Sequence, residues 1–339
     1  MNSVALYNAD CMAVMKDMES HSISAIITDP PYFRVKGEDW DNQWDDANHF
    51  IEWVGKLCEQ FQRILKPNGS LYFFASPQMA ARVECEIGKR FNVLSSIVWR
   101  KGGKGRDVVG WAQKAEKEAL RSWIAVTERV IFAEQRGDQY GDASKALHKE
   151  VYAPLGRYIQ LERERAGISR RDVAKKLVGY KNEDSANANI FNWELGKNLI
   201  SAADYESMQH TLGSGFLTRE YEELRREYEE LRREYEELRR PFNVTAKDQW
   251  GDVWDFEPVM AYAGKHPCEK PQALLRHILY SSTRAGDLVF DPFMGGGSLG
   301  HACHETGRRF IGVEKCPKNF EMARQRVESA SAQMVMYGA

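Results

Sequence analysis

Two short strings carry residue types in an order that could do chemistry. IITDPPYF, residues 26–33, is an apolar strand pattern that stops at an acid, two prolines and two aromatic residues. Proline cannot donate an N–H and holds its neighbourhood extended. Asp29 and the Pro30 carbonyl are therefore acceptors at a strand tip, stiffened by Pro31 and followed by the ring of Tyr32. Two acceptors beside a stacking face suit a planar group that bears an NH2. DLVFDPFMGGGSLG, residues 287–300, is a second buried strand, then a glycine bend, then a helix start. Glycines let the backbone approach a ligand, and the helix start offers unpaired N–H groups. A further strand, FIGVE, ends on Glu314. An acid at a neighbouring strand tip is placed to accept ribose hydroxyls, which describes a nucleoside pocket. The alternative is a plain strand–helix turn with a surface Glu.

Both strings need a sheet that presents strand ends on one edge. Residues 1–136 alternate apolar strand patterns with helices, for example ANHFIEWVGKLCEQFQRIL, whose apolar residues recur every three or four positions before a KPNG stop and turn. The same alternation returns after residue 250. It predicts an α/β fold, a largely parallel sheet with helices on both faces. Between the halves lies a helical stretch, so one α/β domain is expected to be interrupted: residues 1–136, an insert over 137–250, and residues 251–332.

Composition narrows the partners. The net charge is −2, so any nucleic-acid affinity must come from local basic patches. VWRKGGKGR, with Lys101, Lys104 and Arg106, is one, and the 157–181 stretch, with Arg170 and Arg171, is another. No apolar run approaches membrane length and no leader pattern opens the chain, which predicts a cytoplasmic protein without a membrane partner. The six cysteines form no C-x-x-C pair, and HACHE (301–305) has no second ligand pair, so neither disulfides nor a metal are expected.

DPPY together with DPFMGGGS resembles the amino-methylating DNA methyltransferases that use S-adenosylmethionine. With the DPPY string first and the glycine bend last, the order is similar to the permuted β class, whose target-recognition region lies between them. YNADCMAVMKDM resembles the segment whose acid, here Asp10, contacts the cofactor adenine. KHPCEKPQALLRHIL resembles the H-P-x-x-K-P helix start, which puts His266, Lys270 and Pro271 near the methionine carboxylate. The resemblance covers about two thirds of the chain and departs from it at GGGS, where many relatives have G-S-G-T. It implies a Rossmann-like methyltransferase sheet, with Asp29, Pro30, Pro31 and Tyr32 catalytic. The cofactor would be held by Asp10, Asp29, His266, Lys270, Pro271, Asp291, Phe293, Gly295, Gly297, Ser298 and Glu314. It further implies transfer of a methyl group to the N6 amine of an adenine flipped out of double-stranded DNA. The chain also resembles prophage Dam-type enzymes, which implies GATC as the target. Cytosine N4 is the alternative acceptor, and a degenerate DNA-binding regulator the alternative class; loss of methyl transfer with retained DNA binding on changing Asp29 separates enzyme from regulator.

Within the insert, residues 155–198 resemble a helix-turn-helix of the Cro/C1 type, carried by RAGISRRDVAKKL and NWELGK, inside a helical block at 154–212. Ser169 reads as an N-cap. The recognition helix would present Asn187, Asn189 and Asn192, since Asn pairs bidentately with adenine. A helical packing module that reads nothing is the bland alternative. Three REYEELR heptads follow, a helix over 219–240 with Tyr and Leu on a narrow seam. That seam suits either a homodimer contact or a strut packed on its own chain, and Tyr at each first core position favours the strut. FRVKGEDWDNQWDD, after the DPPY corner, is either a surface loop or a lid over the flipped base.

Overall fold

The computed structural model describes residues 4–35, 41–101, 123, 125–136, 154–177, 179–245, 247–248, 250–260, 262, 265–266 and 268–337. The chain divides into two compact units, Met1–Gly137 with Arg240–Ala339, and Asp138–Arg239. Residues 240–250 thus belong with the first unit, about ten residues earlier than the return expected at 251.

The first unit is built on an eight-stranded sheet. In chain order the strands are β1 (Val4–Tyr7), β2 (Ile23–Thr28), β3 (Leu65–Ala75), β4 (Phe91–Arg100), β5 (Thr127–Gln135), β6 (Val253–Asp255), β7 (Leu288–Asp291) and β8 (Arg309–Val313). Across the sheet they run β1-β8-β7-β2-β3-β5-β4-β6. β2 is buried along its whole length, which is why ISAIIT shows no polar alternation. Helices α1 (Cys11–Asp17), α2 (Ala47–Ile64) and α3 (Ala80–Ile87) supply Met15, Phe61 and Val83 to the core on one face. On the other face α9 (Gln272–Ser282), α10 (Ser298–Glu305) and α11 (Pro317–Tyr337) supply Ile278, Leu299 and Ala323.

The sheet is largely parallel, as expected, with one reversed strand: β5 pairs antiparallel with both β3 and β4. Strand–helix alternation reports that strands exist but not which way each one runs. KPNG does end α2, yet the chain is already in β3 there. Ile23 pairs with Leu65 and Ala25 with Ser70, so the expected turn is accommodated as a bulge. HACHE falls in α10, where Cys303 is buried and His301 lies 3.1 Å from Glu305.

The second unit is helical: α4 (154–165), α5 (Arg170–Ala174), α6 (Glu183–Glu194), α7 (Ala202–Leu212) and α8 (Tyr221–Leu238). Ser169 caps α5 by accepting the Asp172 N–H at 3.1 Å. Asn182 and Ser185 form a capping box on α6. Arg163 and Arg170 both pair with the buried Glu194, at 2.5 and 2.7 Å, tying α4 and the α5 region to the end of α6. Ile159, Val173, Ile190, Trp193, Tyr205 and Met208 fill the core. Along α8 only Leu224 is buried, while Tyr221 donates its hydroxyl to the Ile200 carbonyl and Leu238 is exposed. Tyr228, Leu231 and Tyr235 of the seam are half-buried. Among the described residues no helix is long and apolar enough to cross a membrane.

Candidate active site

β2 and β7 are parallel neighbours, Ala25 opposite Val289 and Ile26 opposite Phe290. Their carboxyl ends therefore lie side by side, which brings Asp29 and Asp291 to one edge of the sheet. There a cavity of about 680 Å³ opens, a volume in the usual range for a small-molecule site. Its lining includes Asp10, Asp29, Pro30, Pro31, Tyr32, His266, Lys270, Asp291, Phe293, Gly295, Ser298 and Glu314. Pro271 and Gly297 instead start the helices beneath, as the N-caps of α9 and α10.

On the β7 side the site is made largely of backbone. Asp291 is buried and accepts the Phe293 N–H at 3.0 Å. Burial pushes its carboxyl up to about 8, with the nearby charges of Asp29 and Glu314 adding to the rise. Glu314 accepts the Gly295 N–H at 3.1 Å and the Cys316 N–H at 2.7 Å, which stitches the tip of β8 to the glycine bend. Gly297 has φ 77°, and a Cβ there would sit 2.9 Å from Ala323, so glycine is required on both counts. A Cβ on Gly295 would meet the His266 ring at 2.9 Å. Asp10 caps α1 through the Met12 N–H at 2.9 Å, and Lys315 reaches it at 3.5 Å. Phe293 packs on Trp53, ring centres 5.6 Å apart. A nucleoside-sized, partly cationic ligand fits this donor set: a roomy apolar-walled pocket, two acids at strand tips, and a backbone cradle a side chain would fill.

The β2 side is a cluster of charged side chains. Tyr32 donates its hydroxyl to Asp29 Oδ1 at 2.7 Å and stands 3.2 Å from Glu128 Oε2. Lys270 Nζ contacts Asp29 Oδ2 and lies 3.3 Å from Glu128 Oε2. Lys101 Nζ contacts Glu128 Oε1. The Lys270 ammonium also sits 5.0 Å from the centre of the Phe74 ring and 5.8 Å from those of Tyr32 and Trp99. Burial would discharge Lys270, but the two carboxylates outweigh it and hold its pKa above the ordinary lysine value. Burial pushes Asp29 up against the pull of Lys270, whereas Glu128, held by both lysines, ends below the usual carboxylate range.

Several expected site residues have partners within the chain. Lys270, expected beside a cofactor carboxylate, lines the cavity and contacts Asp29 and Glu128. Lys101, expected on an outer DNA-facing patch, belongs to the same cluster. Lys104 and Arg106 lie outside the described residues. In the second unit, Arg170 is committed to Glu194 and Arg171 lies 3.2 Å from Glu183. Asn189 turns its amide back onto the Ser185 carbonyl, while Asn187 and Asn192 are half-buried on the same helix. Trp44, in the segment read as loop or lid, is buried against Phe50 and Trp53; residues 36–40 of that segment lie outside the described residues. Glu128, Trp99 and Phe74 were not singled out from sequence. The signal for Glu128 was present: an acid inside the apolar strand TERVIF.

The family model described as DNA methylase matches residues 23–325. The chain belongs to the DNA methylase family. Members transfer a methyl group to DNA, with S-adenosylmethionine as donor. Among curated proteins the chain is 32% identical to the type II methyltransferase M2.LlaDCHI of Lactococcus lactis subsp. cremoris, covering 96% of this chain and 90% of that one. It is 23% identical to the DNA adenine methyltransferase YhdJ of Escherichia coli K12, covering 96% and 83%. Its fold is similar to that of PvuII DNA methyltransferase, a cytosine-N4-specific enzyme, at 12% identity and TM-score 0.54 over 98% of this chain and 91% of that one.

Proposed function

We propose that the protein methylates the N6 amine of adenine in double-stranded DNA at specific sites, with GATC as the target sequence. The observation that carries this reading is the adjacency of β2 and β7, which opens Asp29 and Asp291 onto one cavity. S-adenosylmethionine supplies an electrophilic methyl group when bound. Asp291, Glu314, Asp10 and the 295–298 backbone would hold it, with Phe293 and His266 as walls. On the other side Asp29 and the Pro30 carbonyl accept the two hydrogens of the target amine. They fix its orientation and stabilise the positive charge that grows on nitrogen as it attacks. Extruding the base costs a few kcal/mol, which stacking on Tyr32 offsets by about 1–3 kcal/mol. A neutral amine is far too weak an acid for Asp29 to deprotonate first, so its proton leaves during or after transfer.

The helical unit is the proposed reader of sequence. The Ser169 cap of α5 and the capping box of α6 support that reading, in which α6 would offer Asn187 and Asn192 to adenine edges. Adenine as acceptor rests on Asp at the first position of DPPY, a feature of the adenine-N6 relatives, and on the resemblance to Dam-type enzymes, which also supplies GATC. The test is to incubate DNA with the protein and isotopically labelled S-adenosylmethionine, digest it, and identify the labelled nucleoside. N6-methyldeoxyadenosine within GATC is expected. Label in N4-methyldeoxycytidine overturns the choice of base, and label in adenines outside GATC overturns the target sequence.

A further inference from the structure

The two groups proposed to receive the flipped base are already bonded to each other. Tyr32 donates to Asp29 Oδ1, and Lys270 contacts Asp29 Oδ2, so each oxygen of the acceptor carries a protein donor before any amine arrives. Each oxygen can still accept a second hydrogen bond, but an Oδ1 shared with the Tyr32 hydroxyl divides its charge between two donors and crowds the approach of the amine. The Tyr32 hydroxyl has an alternative within reach: Glu128 Oε2, 3.2 Å away. Glu128 reaches the spot because β5 runs antiparallel to β3. Its residue 128, second in the strand, therefore lies at the edge where β2, β3 and β4 end, opposite Trp99 in the ladder.

Resting on the methyl-transfer reading above, we propose that Glu128 is a positioning residue that takes over the Tyr32 hydroxyl and anchors Lys270, leaving Asp29 Oδ1 for the target amine. Glu128 is suited to this. It is 8% exposed, and Lys101 on Oε1 keeps it ionised and fixed while Oε2 faces both Tyr32 and Lys270. Two lysines and two acids balance in charge, so the hydroxyl changes acceptors without moving a proton or leaving a buried ion unpaired. The ring of Tyr32 then turns with its hydroxyl held by Glu128, and its face becomes available to the base. A purely structural ion pair would make no use of the Tyr32 contact.

The titratable groups that act on Asp29 are Lys270 just before α9, Glu128 from β5, Tyr32 from its own corner and Asp291 from β7, with Lys101 reaching the cluster through Glu128. Among them Glu128 pushes the Asp29 carboxyl up and Tyr32 pulls it down, which gives two variants opposite signatures. In Glu128→Gln the acid limb of the kcat/KM profile for DNA, taken at saturating S-adenosylmethionine so that Asp291 is already engaged, is expected to move to lower pH. In Tyr32→Phe it is expected to move to higher pH. Glu128→Gln should also slow single-turnover methyl transfer by roughly 10- to 100-fold, with the Kd for S-adenosylmethionine unchanged within about twofold. In a Tyr32→Phe background, where no hydroxyl competes for Asp29, the Glu128→Gln loss should shrink several-fold. The proposal is overturned if Glu128→Gln transfers at the wild-type rate, or if its loss is the same in both backgrounds. Limbs that stay put or move the same way in the two variants also overturn it. Should Glu128→Gln fail to fold, Glu128→Asp, which keeps the charge but draws the carboxylate back from Tyr32, takes its place. A loss of transfer that depends on the Tyr32 hydroxyl is then expected, and an undiminished rate overturns the proposal. A wild-type protein inactive on DNA removes the underlying reading itself, a result distinct from any of these.

Discussion

Asp29 and Asp291 are both carboxylates at the tips of neighbouring parallel strands, yet their surroundings are opposite. Asp29 has a phenol on one oxygen and an ammonium on the other, with a second acid and a second lysine behind them. Asp291 has one backbone N–H, and burial lifts it to about 8. Burial raises both carboxyls, but Lys270 and Tyr32 pull against the rise at Asp29, whereas Asp291 has little more than a backbone N–H to oppose it and a cation from outside would relieve it. Position on the sheet makes the two acids neighbours; in the proposed reaction their different partners fit Asp29 to the methyl acceptor and Asp291 to the donor.

Breaking the acceptor side should produce the largest effect. Asp29→Ala is expected to lower methyl transfer by about 1,000-fold or more, the scale for removing a group aimed at developing charge. Its S-adenosylmethionine affinity, measured by calorimetry, should change little. Breaking the donor side should do the reverse. Asp291→Asn is expected to weaken S-adenosylmethionine by about 1.5–3 kcal/mol, or roughly 10- to 150-fold, the contribution of a charged hydrogen bond. Transfer at saturating cofactor should suffer less.

The contrast also has a pH signature. An empty site holds Asp291 mostly protonated below about 8, and a cationic ligand favours its ionised form. Binding below that pH therefore releases a proton. The wild-type Kd should fall as pH rises toward 8 and level off above it, changing at most about tenfold per unit. Asp291→Asn should lose this slope. The smallest effect lies outside the comparison. Ser169→Ala removes the cap of α5 and should cost about 1 kcal/mol, read as a lower melting temperature, with single-turnover transfer on saturating DNA unaffected. A large loss of transfer in that variant would mean the helical unit does more than read sequence.

What the sequence made legible was local chemistry. The acid–proline corner and the glycine bend each encode their own backbone shape, and Ser169 and Asp172 encode a cap within four residues. Parallel β2 and β7 then brought the two chemical strings to one edge, as strand–helix alternation implies. Contacts that depend on strand direction were not legible. No local pattern says that β5 runs backwards, and that reversal alone carries Glu128 to the active edge and pairs it with Trp99. Lys101 looked like part of a basic surface run because its partner, Glu128, is 27 residues away in sequence. The motif around Lys270 carries no sign of the two acids and three aromatic rings that surround it, because all of them come from other strands or corners. KPNG looked like a plain turn because a bulge depends on the register of the neighbouring strand.

The most direct test of the two-sided site is a bisubstrate compound in which the 5′ end of the cofactor's adenosine is tethered to the N6 nitrogen of adenine. Its Kd would be measured against that of S-adenosylhomocysteine for the wild type, Asp29→Asn and Asp291→Asn. The compound should bind the wild type more tightly than the cofactor product does. That gain should vanish in Asp29→Asn, while Asp291→Asn should weaken both ligands. A compound that binds no better than S-adenosylhomocysteine, or whose gain is indifferent to Asp29, would contradict a single site shared by the two strand tips.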